Sequence, residues 1–271
     1  MDKQRVLIVT QELNPYLGES DISKFMEGLP LHIQNGGMEI RVLMPCYGSI
    51  NQRRHRLHEV VRLSGINIII DQDDYPLVIK VASLPGARIQ VYFLDNEDLF
   101  DTKEGFFDSK KRFHKDNAER MIFFCKGVLE TVKKFGWAPD IIHCHGWLTS
   151  LIPLYVKTVY KDEPIFEQSK VIYSLYESAF KESLGPQFVA KAPINIKLDK
   201  KDLKYFEDAD FDGINSGAIA HSDAVVKATK KVTAKIEKTL KSQNGKPVLD
   251  YLNGGEDTLK AYLEFYNKLL A

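Results

Sequence analysis

Ile141-Ile142-His143-Cys144-His145-Gly146-Trp147-Leu148-Thr149-Ser150 runs from an apolar strand straight into polar, reactive side chains, with a helix expected to begin at once. In an open parallel sheet, ligands collect outside the carboxyl ends of the strands. That rule places His143 and His145 where such a protein would do its chemistry. On either side of this stretch, short β-branched runs alternate with longer segments of helical period, the pattern of a mostly parallel sheet flanked by helices. The fold class is therefore α/β, a single Rossmann-like domain. Strands are predicted at Val6 to Thr10, Glu39 to Met44, Ile89 to Phe93, Asp140 to His143, Lys170 to Leu175 and Ala224 to Val226.

Helices fall between them. Ser20 or Asp21 can cap one whose apolar positions Ile22, Phe25, Met26, Leu29 and Ile33 recur at three and four residues, stopping near Gly36-Gly37. Asp116 to Phe135 is the longest helical signal; Asn117 or Asp116 caps it, and Met121, Phe124, Val128, Val132 and Phe135 form its buried stripe up to Gly136. The pieces Leu57 to Leu63, Asn67 to Ile70 and Leu77 to Val81 suggest an antiparallel excursion at the sheet edge. From Leu175 to Lys201 the chain is loop-rich, and a short helix follows from Phe211 to Ala220. Lys227 to Lys241 is expected to form a basic helix with a solvated face. A last helix at about 257–269, capped by Asp257, is expected to dock Leu259, Leu263 and Tyr266 on the sheet domain, making residues 1–271 one self-contained unit.

Lys plus Arg and Asp plus Glu each number 37, so there is no net electrostatic pull toward nucleic acid or an anionic membrane. No window approaches the roughly 18 to 20 apolar residues needed to span a bilayer, and residues 1–10 lack a signal-peptide pattern. Three cysteines, Cys46, Cys125 and Cys144, without framework spacing point to free thiols in a reducing compartment, the cytoplasm.

Reactive groups at strand ends invite sharper readings. His143, Cys144, His145 and Cys46 could form a soft-metal cluster, but alternate strand residues face opposite ways, so Cys144 turns away from the two histidines. No Cys-x-x-Cys partner exists, and neither a metal nor a cofactor is expected. A nucleophilic Cys144 would need an oriented base, for which the sequence offers no third group. The first βα turn, Thr10 to Asp21, carries one glycine and three carboxylates, Glu12, Glu19 and Asp21, which makes it a poor phosphate cradle.

Taken in order, a set of segments resembles the N-terminal part of bacterial glycogen and starch synthases, the ADP-glucose-dependent glycosyltransferase family 5. They are Pro15-Tyr16, Glu27 to Pro30, Gly37 to Ile50, Val91 to Glu97, Leu99 to Asp101, Asp116 to Arg120, Phe123-Phe124, Pro139 to Trp147, Pro153 to Tyr155 and, faintly, Leu252 to Gly255. The resemblance implies the N-terminal half of a GT-B glycosyltransferase, whose two Rossmann-like domains face each other across the active cleft. Implied substrates are an α-1,4-glucan acceptor and ADP-glucose, with a second half, or a partner chain, holding most of the nucleotide.

Where the family places cleft groups, this chain departs. The family's Lys-x-Gly-Gly-Leu loop falls on Gly18-Glu19-Ser20-Asp21-Ile22, and each added carboxylate near a diphosphate costs on the order of a few kcal/mol. The family's His-x-His-Asp-Trp-His motif keeps His143, His145 and Trp147 but has Gly146 and Leu148 at its aspartate and last histidine. An Ile-His-Asn motif corresponds to Leu175-Tyr176-Glu177. The resemblance therefore implies an ADP-glucose:α-1,4-glucan glucosyltransferase of which only the N-terminal domain is present, weak or inactive alone and with no catalytic residue of its own assigned.

Substrate-binding positions expected from it are Tyr16, Gly18, Asp21, Tyr47, Asn96, His145, Trp147 and Glu177. The alternative is a non-catalytic module binding glucan or a protein partner, with Phe100, Phe106 and Phe107 as further stacking candidates. A third reading places a cation or polyol on Glu12, Asp21, His145 and Glu177.

Overall fold

The apolar run after Arg5 becomes the middle of the sheet. The computed structural model describes residues 3–18, 20–101, 105–177, 179–193 and 198–271. Its strands are β1 (Arg5–Thr10), β2 (Glu39–Pro45), β3 (His58–Glu59), β4 (Ile66–Ile70), β5 (Asp73–Ser83), β6 (Gln90–Asp95), β7 (Ile141–His145), β8 (Lys170–Leu175), β9 (Ala224–Lys227) and β10 (Val248–Leu249). The helices are α1 (Asp21–Asn35), α2 (Asn117–Phe135), α3 (Leu151–Lys157), α4 (Phe188–Lys191), α5 (Lys200–Leu203), α6 (Phe211–His221), α7 (Ala234–Ser242) and α8 (Glu256–Leu270).

Strand order is β10-β9-β8-β7-β1-β2-β6-β5-β3, with β4 paired to β5. Pairing is parallel from β10 through β6 and antiparallel beyond. Val6 to Thr10 are all fully buried because helices cover both faces of a parallel sheet, which is why this run shows no alternation. Chain order reverses direction between β1 and β7, whose register sets Val9 beside Cys144 and Thr10 beside His145. This is the topological switch point.

Local chemistry fixes the helices. The Ser20 hydroxyl accepts from the Ser23 amide at 3.0 Å and so caps α1. Asp116 occupies the N-cap position of α2 without a side-chain capping bond, and Gly136 closes the helix in the left-handed region at φ 61°. Met121, Phe124, Val128 and Val132 of α2 are fully buried, each contributing about 1.5–3 kcal/mol.

α8 lies against α1 and the end of β7. The Tyr262 ring sits 4.9 Å from that of Phe25 and 5.7 Å from that of His143. The Tyr266 hydroxyl is 2.5 Å from His143 Nδ1. A methyl group on Gly36 would stand 2.6 Å from Leu263 Cδ2, so the glycine permits this close helix approach.

Four local expectations change. Only His58–Glu59 of the Leu57 to Leu63 run pairs as strand, because the Ser64 hydroxyl takes the Ile79 amide at 3.0 Å in place of a ladder carbonyl. Lys227 extends β9, and Thr233, accepting from the Ile236 amide, starts α7 at Ala234, so the basic helix is shorter than its charge pattern. Gly255 at φ 81° takes the N-cap position of α8, leaving Asp257 inside the first turn. β10 is an addition: two residues, Val248 and Leu249, too short for period-based recognition.

Gly36→Ala is expected to destabilise the protein by about 1–3 kcal/mol through overpacking against Leu263. Urea denaturation should record that loss and its partial recovery in a Gly36→Ala/Leu263→Ala double variant.

Candidate functional site

At the carboxyl ends of β1, β8 and β9 a cleft of about 460 Å³ opens. The loop after β1 supplies Gln11, Glu12, Ser20 and Asp21; the loops after β8 and β9 supply Tyr176, Glu177, Thr229, Lys230 and Lys231; Tyr251 follows β10. Its position obeys the crevice rule for open α/β sheets.

The floor is built by one glycine. Gly146 has φ +88°, and a Cβ there would stand 2.3 Å from Gln11 Oε1. The Gln11 amide thus occupies the space a side chain would need, while its Oε1 accepts from the Leu148 amide at 3.4 Å. Gln11 Nε2 donates to Glu12 Oε1 at 3.1 Å, and the Ser20 hydroxyl donates to Glu12 Oε2. Glu12 is therefore oriented by two donors while remaining half-buried at the cleft wall. Asp21 and Glu177 are exposed at the rim, with Lys230 and Lys231 exposed in the same lining. Lys230 Nζ stands 5.7 Å from the Tyr251 ring centre. The cleft thus offers carboxylates, ammonium groups and tyrosine rings.

Behind it lies the histidine pair. His143 and His145 are fully buried with ring centres 3.9 Å apart. His143 is held by the Tyr266 hydroxyl at Nδ1 and by the Ser174 hydroxyl, 2.7 Å away, at Nε2. His145 Nδ1 meets the Tyr176 hydroxyl at 2.9 Å, and its Nε2 is buried without a hydrogen-bond partner among the described residues. Burial pushes His145 down to about 3 and His143 well below the usual imidazole range, the neighbouring ring adding to the effect on His143. Both rings are neutral at ordinary pH. The His145 ring meets the cleft lining through the Tyr176 hydroxyl, and its carbonyl accepts from the Gln11 amide at 3.2 Å.

The thiols are equally unreactive. Burial raises Cys144 and Cys125 well above their ordinary values and Cys46 to about 12, so none supplies a thiolate nucleophile. Among the described residues, no group of three His, Cys, Asp or Glu side chains is placed to hold a metal ion.

The residues singled out in the sequence separate into two sets. Asp21 and Glu177 line the cleft, Glu12 lines it with them, and Gly18 stands at its edge, its α-carbon face directed at Glu12 Oε2. Glu19 lies outside the described residues. The other positions are built into the framework. Tyr16 donates its hydroxyl to the Ser83 carbonyl at 2.9 Å and packs on Phe93. Tyr47 is fully buried against Phe100 and Phe106. Asn96 Oδ1 accepts from the Asp98 and Leu99 amides and so caps a one-turn π-helix at Glu97–Asp101. Trp147 packs on Phe106, Phe113 and Phe180. Leu148 is fully buried.

Gln11, Thr229, Lys230, Lys231 and Tyr251 were not legible as cleft residues. The two lysines looked like the start of a basic helix. Only the capping threonine at 233, placing 228–233 in a loop at a strand's carboxyl end, could have redirected them.

Comparison with known proteins agrees with this architecture. The family profile described as the starch synthase catalytic domain matches residues 5–248. A glycogen synthase of Chlorobium luteolum is 42% identical over 184 residues, 67% of this chain and 37% of that protein. A glycogen synthase of Chlorobaculum tepidum is 40% identical over 193 residues, 68% of this chain and 40% of its own length. The matches thus span well under half the length of these relatives. In structure, the catalytic domain of starch synthase IV from Arabidopsis thaliana, solved bound to ADP and acarbose, superposes with a TM-score of 0.76 at 18% identity. That superposition covers 93% of this chain and 52% of the plant chain. The fold is therefore the mostly parallel α/β sheet of a GT-B enzyme's catalytic domain.

The buried histidines set an acid limit on stability. Unfolded, both titrate near 6.5; folded, both lie lower, His145 at about 3. As pH falls below about 6.5 the unfolded chain binds more protons, and stability drops by up to about 1.4 kcal/mol per pH unit for each histidine. Urea midpoints between pH 7 and pH 4 should show this decline, with a shallower slope in His145→Gln.

Proposed function

Because this chain belongs to the starch synthase catalytic domain family, we propose that its cleft binds the glucose units of an α-1,4-glucan, as the acceptor-side half of a glycogen or starch synthase-type glucosyltransferase. The observation that carries this reading is the character of the cleft lining. Carboxylates at Glu12, Asp21 and Glu177 can each accept sugar hydroxyls, and the Tyr176 and Tyr251 rings offer apolar faces of the kind that pyranose rings stack upon.

Glucosyl transfer from ADP-glucose needs cationic donors placed where charge develops on the departing phosphate. The loop that would meet that diphosphate by family resemblance here presents Ser20 and Asp21 beside Glu12. In our reading transfer therefore requires a second, nucleotide-binding half, and this half alone holds glucan without elongating it. The buried, free cysteines accord with work in the reducing cytoplasm.

One observation favours a second reading. Lys230 and Lys231 line the same cleft and are exposed, so a nucleotide diphosphate could approach from the β9 side. Calorimetric titration separates the two. Maltooligosaccharides are expected to bind and to lose affinity about tenfold in Tyr251→Ala, with no heat from ADP-glucose. ADP-glucose binding that disappears in Lys230→Gln/Lys231→Gln would overturn the first reading in favour of the second.

A further inference from the structure

On the other side of the β1–α1 loop lies a second cavity, of about 650 Å³, that shares no lining residue with the cleft. Arg54, His55, Arg56 and His58 line it, together with Tyr16, Ala82, Ser83 and Pro85. No carboxylate belongs to that lining among the described residues, in a chain whose acidic and basic residues balance at 37 each. Such one-signed lining is a local choice rather than a reflection of overall charge.

The arginines are presented by an ordered turn. Asn51 Oδ1 accepts from the Arg54 amide at 2.8 Å, the Asn51 carbonyl from the His55 amide at 3.1 Å, and the Gln52 carbonyl from the Leu57 amide at 2.9 Å. Arg56 holds φ at +55°, a conformation an L side chain adopts at a cost of roughly 1–2 kcal/mol. Strain of this kind concentrates where a side chain must be aimed. His55 packs edge-on to Tyr16 with ring centres 5.0 Å apart, tying the turn to the cavity wall. Among the described residues neither Arg54 nor Arg56 stands within ion-pair distance of a carboxylate, so both guanidinium groups are available to an incoming anion.

We propose that this cavity binds a phosphate monoester: the phosphoryl group held by Arg54 and Arg56, and the attached uncharged body resting on Tyr16, Ala82 and Pro85. Two guanidinium groups suit the bidentate geometry of phosphoryl oxygens. The volume lies in the range of small-molecule sites and exceeds what bare phosphate fills. The apolar wall accounts for the remaining space.

Titrating the full chain with inorganic phosphate, a hexose monophosphate and AMP tests this. Inorganic phosphate is expected to bind, and at least one of the two esters to bind more tightly; which one does so tells a sugar body from a nucleoside. Arg54→Gln/Arg56→Gly, whose glycine suits the φ of +55° at position 56, is expected to lose at least about tenfold in affinity for each. Asp21→Asn, in the other cleft, should leave phosphate affinity unchanged. The proposal falls if wild type does not bind phosphate, if neither ester gains over phosphate, or if the double variant binds like wild type while keeping its thermal midpoint.

Discussion

The close approach of Gln11 to Gly146 is the constraint on which the carboxyl end of the sheet depends. A Cβ at 146 would lie 2.3 Å from Gln11 Oε1, and φ there is +88°. Two penalties therefore act on any other residue: steric overlap and backbone strain. Because Gln11 fills that space, its amide can reach Glu12, and Glu12 in turn receives the hydroxyl of Ser20, which also caps α1. One missing side chain just after β7 thus sets the wall of a cleft made by a different loop. A residue with a side chain, such as the aspartate of the resembling motif, has no room at 146, because the space it would use holds the Gln11 amide from the loop after β1.

Burial decides the chemistry of the histidine pair. Their place at a strand end puts the two rings where chemistry is expected, yet α8 covers His143 with Tyr262 and Tyr266, and His145 lies against His143 and Tyr176. An imidazole with both nitrogens satisfied by hydroxyls, as in His143, contributes hydrogen bonds to a core that would otherwise contain unpaired donors. His145 keeps one buried nitrogen unpaired among the described residues, and it meets the cleft through the Tyr176 hydroxyl at its ring and the Gln11 amide at its carbonyl. The pair therefore acts as polar packing that positions a tyrosine.

Much of this was legible in the chain. The strands from β1 to β9 that carry the parallel sheet announce themselves by β-branched runs, and the stripe of α2 by its period. Short or context-bound features did not. The turn at Ser64 needed a long-range partner, the Ile79 amide, that no local pattern shows. Within the site, Asp21 and Glu177 are legible because they fall on the motifs of the resembling family and follow strand ends at the switch point. Tyr16, Tyr47, Asn96 and Trp147 carry the same residue types but point into packing or capping roles, which depend on tertiary neighbours. The lysines at 230 and 231 were hidden by a charge run that continues into a helix.

Charge segregation on this neutral chain follows from the same topology. The loop after β1 leaves the sheet at its switch point and must pass between the β8–β9 side and the β2–β6 side. Its two flanks consequently face different neighbours: Glu12 and Ser20 turn toward Tyr176, whereas Tyr16 turns toward His55 and the Ser83 carbonyl. The first flank carries most of the carboxylates in its cavity lining, and the second has a lining of cationic and aromatic groups. The first cavity mixes its carboxylates with Lys230 and Lys231, whereas among the described residues no carboxylate lines the second. Separating them by one twelve-residue turn, from Thr10 to Asp21, lets a cleft of mixed charge and an arginine-lined cavity coexist within a single fold. Net charge then says nothing about either.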